Sequence, residues 1–330
     1  MGRHDIDTKL QRNGEPMTVQ QETTEVPEYL VYHSTKVMLE KFWASYLEME
    51  KDPDSFRPVP ALLPALTHKM GGFGKGMFVV FGAPPKGGKS AALLSCVSYI
   101  SKVKPNALIG FISNEMWEQQ LTRAFLSNIS YVDRSRMKNI ELDTGEKRKI
   151  DEAIRDFGQG INCAWGYNIT TFEDLHKWIR NVEEHFGQPM EFIIIDYIHL
   201  MDGEGRTMTE KVPWITRQMK KLTHIFPGIC VISASQLNNE HIKNENYSHT
   251  AFLYGGVDRD ADAGIIIAPF KDESDRVVEG LKILHLPVVR EGRGGEEKVA
   301  FRGEYALITG TQPEPREDID ELLANLEFAI

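Results

Sequence analysis

The sequence predicts an α/β fold, with a mostly parallel sheet flanked by helices, antiparallel edge strands near the C-terminus and a helical extension before the sheet. Three observations lead there. Short apolar runs alternate with helical segments at residues 77–82, 107–113, 192–196, 229–234 and 263–268, as repeated strand–helix units require. A glycine-rich turn, Gly82 to Gly88, separates the first of these runs from the Ala91-Ala92-Leu93-Leu94 start of a helix. Further on, residues 281–289, 297–302 and 305–308 follow one another with no helix between them, an antiparallel pattern.

Taken in order, residues 1–28 read as a flexible polar arm, carrying Gln20-Gln21-Glu22-Thr23-Thr24-Glu25 and no apolar periodicity. Residues 29–56 read as a helix and linker. Leu30, Tyr32, Val37, Met38, Phe42, Tyr46 and Leu47 recur at near-helical spacing between Tyr29 and Met49, and Pro53 follows as a stop. Set between the polar arm and Arg57-Pro58-Val59-Pro60, this helix either packs on its own domain or docks on a neighbouring subunit. Gly71, Gly72, Gly74 and Gly76 mark the turn into the first core strand. Residues 310–330 hold Glu314, Glu317, Asp318, Asp320, Glu321 and Glu327 against the single base Arg316, with Ile319, Leu322, Leu323, Leu326 and Phe328 at near-helical spacing. They read as an exposed acidic tail, either solvated or bound by a partner.

Composition bounds the function. Hydrophobic residues at 41% and charged residues at 26% are globular values, and no apolar run approaches the ~20 residues that cross a bilayer. The opening Met1-Gly2-Arg3-His4-Asp5 has no apolar stretch of the signal-peptide kind, so the cytoplasm is the expected location. Cys96, Cys163 and Cys230 are far apart with no metal-ligand spacing, which predicts buried free thiols. A formal net charge of -10 excludes a protein that coats nucleic acid over its whole surface, and confines any such contact to a few loops.

The chemistry begins at Met77, where an apolar strand, a glycine-rich loop and a helix follow one another, the arrangement a phosphate chain needs. In Ala83-Pro84-Pro85-Lys86-Gly87-Gly88-Lys89-Ser90-Ala91 the two glycines let backbone N–H groups approach phosphate oxygens. Lys89 reaches the β- and γ-phosphates and Ser90 offers a hydroxyl to Mg²⁺, so ATP and Mg²⁺ are the expected ligands. Ala83 stands where the first glycine is usual, with Gly82 just before it. Phe192-Ile193-Ile194-Ile195-Asp196 ends an apolar strand in a carboxylate, Asp196, suited to hold the metal through water. Glu115 ends another such strand as the base for the attacking water, and Gln236 ends a third as a reporter of the γ-phosphate.

These residues resemble the DnaB-type replicative helicases of the RecA-like superfamily. The likeness rests on Ala83 to Ser90, Glu115-Met116, Ile195-Asp196-Tyr197-Ile198-His199-Leu200 and Ser235-Gln236-Leu237. It continues through Glu118-Gln119-Gln120-Leu121-Thr122-Arg123, Asp260-Ala261-Asp262 and Ala300-Phe301-Arg302-Gly303-Glu304-Tyr305, covering about residues 57–309, which would form a RecA-like motor. The resemblance implies that Arg290 reaches the ATP of the next subunit as a finger. Val288 stands where the family has lysine, and Arg293 is the cation placed to substitute for it. Arg123 joins the nucleotide-binding set by the same resemblance.

The resemblance also implies a ring, a homohexamer, that binds single-stranded DNA through two loops. The first, 202–209, holds Arg206; the second, 238–256, holds His241, Lys243, His249 and the Gly255-Gly256 pair. A primase, a polymerase or a single-strand-binding protein is the partner class for the acidic tail, and membranes are not. With only about 56 residues before the motor, the family's N-terminal domain has no counterpart in the sequence, as would suit a trimmed bacteriophage form. Two other readings stand beside the helicase: a recombinase or recombination mediator of the same superfamily, and an ATP-switched assembly protein for replication.

Overall fold

The computed structural model describes residues 35–51, 53, 57–158, 162–252 and 254–311. The arm at 1–28, residues 29–34 of the expected first helix and all but the start of the acidic tail lie outside the described residues. The first helix, α1 (Thr35–Lys51), falls mostly in a unit, Met1–Glu48, separate from the body, Met49–Ile330. Its apolar side chains Met38, Phe42, Trp43, Tyr46 and Leu47 are all exposed, and Trp43 stacks on Tyr46 at 5.4 Å.

The body opens with α2 (Pro64–Met70), whose Gly71 C-cap is left-handed, and enters the sheet at β1 (Phe78–Ala83). There follow α3 (Lys89–Val103), β2 (Leu108–Ser113), α4 (Glu118–Ser130), α5 (Arg134–Asn139), α6 (Thr144–Gly158) and β3 (Cys163–Tyr167). Next come α7 (Phe172–Phe186), β4 (Met190–Asp196), α8 (Met208–Ile225), β5 (Cys230–Gln236), α9 (Asn239–Lys243) and α10 (Val257–Asp260). The chain closes with β6 (Ala263–Lys271), β7 (Val277–Val289), β8 (Gly295–Arg302) and β9 (Leu307–Gly310). Among the described residues these strands make one nine-stranded sheet, in the order β3-β2-β4-β5-β1-β6-β7-β8-β9. Pairs from β3 to β6 are parallel; β6–β7, β7–β8 and β8–β9 are antiparallel.

Strand alternation explains the layers. In β1, Val79, Phe81 and Ala83 face a core shared with α3 and α4, while Phe78 and Val80 face one shared with α7 and α8. Every residue of β1 is buried, so the strand is apolar throughout instead of alternating with polar residues. The predicted fold class is the observed one, with β3 as an addition. Its Cys163-Ala164-Trp165-Gly166-Tyr167 sequence is short and glycine-broken, which hides it from periodicity. The glycines serve a packing need: a Cβ on Gly110 or Gly166 would lie 2.9 or 3.1 Å from the Trp178 ring of α7.

The C-terminal strand is pinned to the helical layer by polar groups. Ser95 of α3 accepts the Ile308 N–H at 3.0 Å, and Asn128 of α4 donates to the Ala306 carbonyl at 2.7 Å. Cys96 and Cys230 are buried as free thiols and Cys163 is half-buried; burial raises all three thiol pKa values. Among the described residues no helix is long and apolar enough to cross a membrane.

Candidate nucleotide site

Parallel register brings the expected site together. Ala83 at the end of β1 pairs with Gln236 at the end of β5, and Ser113 at the end of β2 pairs with Asp196 at the end of β4. With β2, β4, β5 and β1 adjacent in that order, four strand ends converge at the carboxyl edge, where open α/β sheets bind ligands.

The loop between β1 and α3 is held in an unusual backbone. Lys86 sits at φ 58° and Gly88 at φ 107°, while the Gly87 N–H donates to the Pro84 carbonyl at 2.9 Å. Gly88 caps α3 without a side-chain hydrogen bond, so the helix dipole and its first amides face the loop. Phe301 of β8 closes the rear: a Cβ on Gly88 would lie 2.8 Å from its ring. Gly88→Ala therefore meets both left-handed strain and a wall. ATP affinity is expected to fall at least about tenfold in a binding titration. Gly76→Ala, at φ 77° with nothing within 4 Å, is expected to lower the melting temperature and leave ATP affinity intact.

Lys89, at 8% exposure, lies beside Glu115 and Asp196. Burial lowers its pKa, and the two carboxylates offset part of that. Asp196 is fully buried, and burial pushes its pKa up to about 6; Ser90 and Lys89 pull it down while Glu115 adds repulsion. Both Asp196 oxygens lack a partner of full hydrogen-bond geometry, although Ser90 is near enough to stabilise the carboxylate. A buried, unsatisfied carboxylate beside a hydroxyl is what a hydrated Mg²⁺ completes, so these residues fit the ion. Glu115, exposed, is set by the turn that Ser113 closes, its hydroxyl donating to the Met116 carbonyl and accepting the Met116 N–H at 3.0 Å.

Two contributors escaped the sequence reading. Tyr197 lies under Lys89, with its ring centre 5.8 Å from Nζ, and accepts at its hydroxyl from Gln236 Nε2 at 3.2 Å. Gln236 is thus tied to the lysine through a tyrosine ring. Phe301 is the other. Both belong to quoted motifs, but nothing in a motif says which way an aromatic ring points.

The comparisons with known proteins agree with this geometry. The family model described as DnaB-like helicase C terminal domain matches residues 59–309. The chain belongs to that family. Among curated relatives, the replicative DNA helicase DnaB of Geobacillus stearothermophilus is 24% identical over 257 residues, covering 75% of this chain and 55% of that protein. DnaB of Helicobacter pylori (strain ATCC 700392 / 26695) is 23% identical over 210 residues, covering 62% and 42%. The chain thus spans about half the length of the curated relatives it matches. Among solved structures, one described as an isolated ATPase domain superposes with TM-score 0.72 at 19% identity, over 83% of this chain and 99% of that one. A DnaB-like replicative helicase described with its interactions with primase gives 0.70 at 18% identity, over 86% and 68%. These superpositions make the fold RecA-like.

In this DnaB-like domain the expected finger residues stand elsewhere. Val289 pairs with Ala263, and Ala263 with Val79, so Arg290 lies at the start of β1 while Lys89 follows its end. Arg290 Nη2 donates to the Arg259 carbonyl at 2.5 Å and its Nε is 3.6 Å from Asp262. Asp262 in turn accepts the Phe78 N–H at 2.7 Å and Lys220 Nζ at 2.6 Å. Arg293 is exposed at the same end, its N–H donating to the Lys69 carbonyl. Val288 faces Gly264 across β6. Arg123 is half-buried in the second turn of α4.

Of the loop residues expected to meet DNA, Arg206 and Lys243 are exposed, and the 238–256 loop contains the short helix α9. Gly255, at φ 73°, has open space where a Cβ would be. Gly256 differs: a Cβ there would lie 2.6 Å from Thr216 Oγ1, so its lack of a side chain serves packing on α8.

Proposed function

We propose that the chain hydrolyses ATP at subunit interfaces and uses it to move along single-stranded DNA as a ring, in the manner of a replicative helicase. The observation that carries this is the convergence of Lys89, Ser90, Glu115 and Asp196 at one edge of the sheet, with Arg290 at the other. In this reading Lys89 and the loop amides hold the β- and γ-phosphates, and Glu115 orients the attacking water. Ser90 and Asp196 hold the metal, which when bound neutralises charge on the phosphates. Gln236 reports the γ-phosphate through Tyr197, and Arg290 of the next subunit supplies positive charge to the transition state. The exposed apolar face of α1 fits a neighbouring subunit, and primase or another replication protein is the partner proposed for the acidic tail.

The curated relatives are named replicative DNA helicases, which favours this reading over a recombinase. The test is ATP turnover with and without single-stranded DNA at low salt, on protein sized in the presence of ATP and Mg²⁺. Closed rings and DNA-stimulated turnover are expected. Filaments would favour the recombinase, and turnover indifferent to DNA the assembly protein.

A further inference from the structure

A ladder of rings leads out of the nucleotide site. From Tyr197, beneath Lys89, it passes to His199 at 5.6 Å and on to Tyr254 at 5.7 Å, both contacts T-shaped. Tyr254 ends it at the surface, 38% exposed, in the loop that follows β5. Its backbone is left-handed at φ 65°, and Gly255 and Gly256 continue left-handed at φ 73° and 90°. A tyrosine adopts that conformation only where its surroundings impose it. Here the imposed result is an aromatic side chain held edge-on by His199, beside a glycine backbone open to solvent.

We infer that Tyr254 is a base-stacking platform for single-stranded nucleic acid, with the open amide edge at Gly255 receiving the adjoining phosphate. The inference rests on the proposed movement along single-stranded DNA and names a contact within it. Charge supports it indirectly. A chain of net charge -10, with Arg206 and Lys243 as the cations of its candidate loops, has little phosphate-derived affinity to draw on. Stacking supplies affinity with no cation and no preference of sequence, because every base has an aromatic face. The ring order also gives a route for signalling, since a base seated on Tyr254 is two rings from the tyrosine that carries Gln236.

The test is binding of an oligothymidylate single strand over a series of salt concentrations. Tyr254→Ala is expected to weaken binding about tenfold at every salt, with the slope of log affinity against log salt unchanged, and Tyr254→Phe to keep wild-type affinity. Arg206→Ala and Lys243→Ala are expected to reduce that slope instead. Wild-type protein that binds the strand while Tyr254→Ala binds equally well overturns the inference alone. Wild-type protein that binds no strand at low salt overturns the proposed function and the inference with it. If the alanine variant melts far below wild type, the unsubstituted protein decides the matter. An iodouracil-substituted strand, irradiated in the complex, should cross-link within the tryptic peptide that ends at Arg259. Cross-links confined to other peptides overturn the inference.

Discussion

Arg290→Ala is expected to bind ATP as tightly as wild type and to hydrolyse it about a thousandfold more slowly, the usual scale for loss of a finger arginine. The reason is positional. Arg290 is anchored to Asp262 and the Arg259 carbonyl at the start of β1, and six strand residues, roughly 20 Å, separate that point from the phosphate loop. No arginine side chain spans that distance, so the residue acts on another subunit or not at all. Mixing decides between these. Lys89→Ala keeps its Arg290, and Arg290→Ala keeps its phosphate loop, so each variant alone should be inactive. In a mixed ring with head-to-tail contacts, about a quarter of the interfaces would pair an intact loop with an intact finger. Turnover should return to about that fraction. Mixtures that stay inactive, or an Arg290→Ala protein of normal turnover, would remove the role in trans.

The second large effect is at Asp196. Its pKa of about 6 lies above the ordinary carboxyl value of 3.8, because burial outweighs the help it receives from Ser90 and Lys89. The folded protein without metal therefore binds more protons than the unfolded chain between about pH 4 and 6, and its stability falls as pH rises through that window. The loss amounts to about 3 kcal/mol and persists at neutral pH. Asp196→Asn removes the charge but keeps the shape. Above pH 6 it should melt higher than wild type in the absence of nucleotide, with a flatter dependence on pH, while Mg²⁺-dependent hydrolysis falls about a hundredfold or more. Stability gained where activity is lost marks a carboxylate retained for its ligand. A variant that melts lower at pH 8 would contradict this account.

Much of the site was legible because it is local. A phosphate loop is one strand, one turn and one helix, and acids at the ends of apolar runs become neighbours once those runs lie parallel; Lys89, Glu115 and Asp196 needed no more than that. Contacts between distant segments were not legible. The place of Arg290 depends on the pairing of β7 with β6, and the Tyr197–His199–Tyr254 ladder joins residues more than fifty apart through ring orientations that no spacing encodes. β3 escaped because its glycine makes room for Trp178, a need visible only from α7.

Asp262 joins the arginine to the first amide of β1, and the other end of β1 runs straight into the phosphate loop. Because β1 is buried on both faces in a close-packed interior, it behaves as a stiff strut. A push on the loop at one end arrives as a displacement of the guanidinium at the other. Each molecule therefore carries its own grip and its own trigger on a single rod, and what one site feels is delivered, with little loss, to whatever stands at the far end.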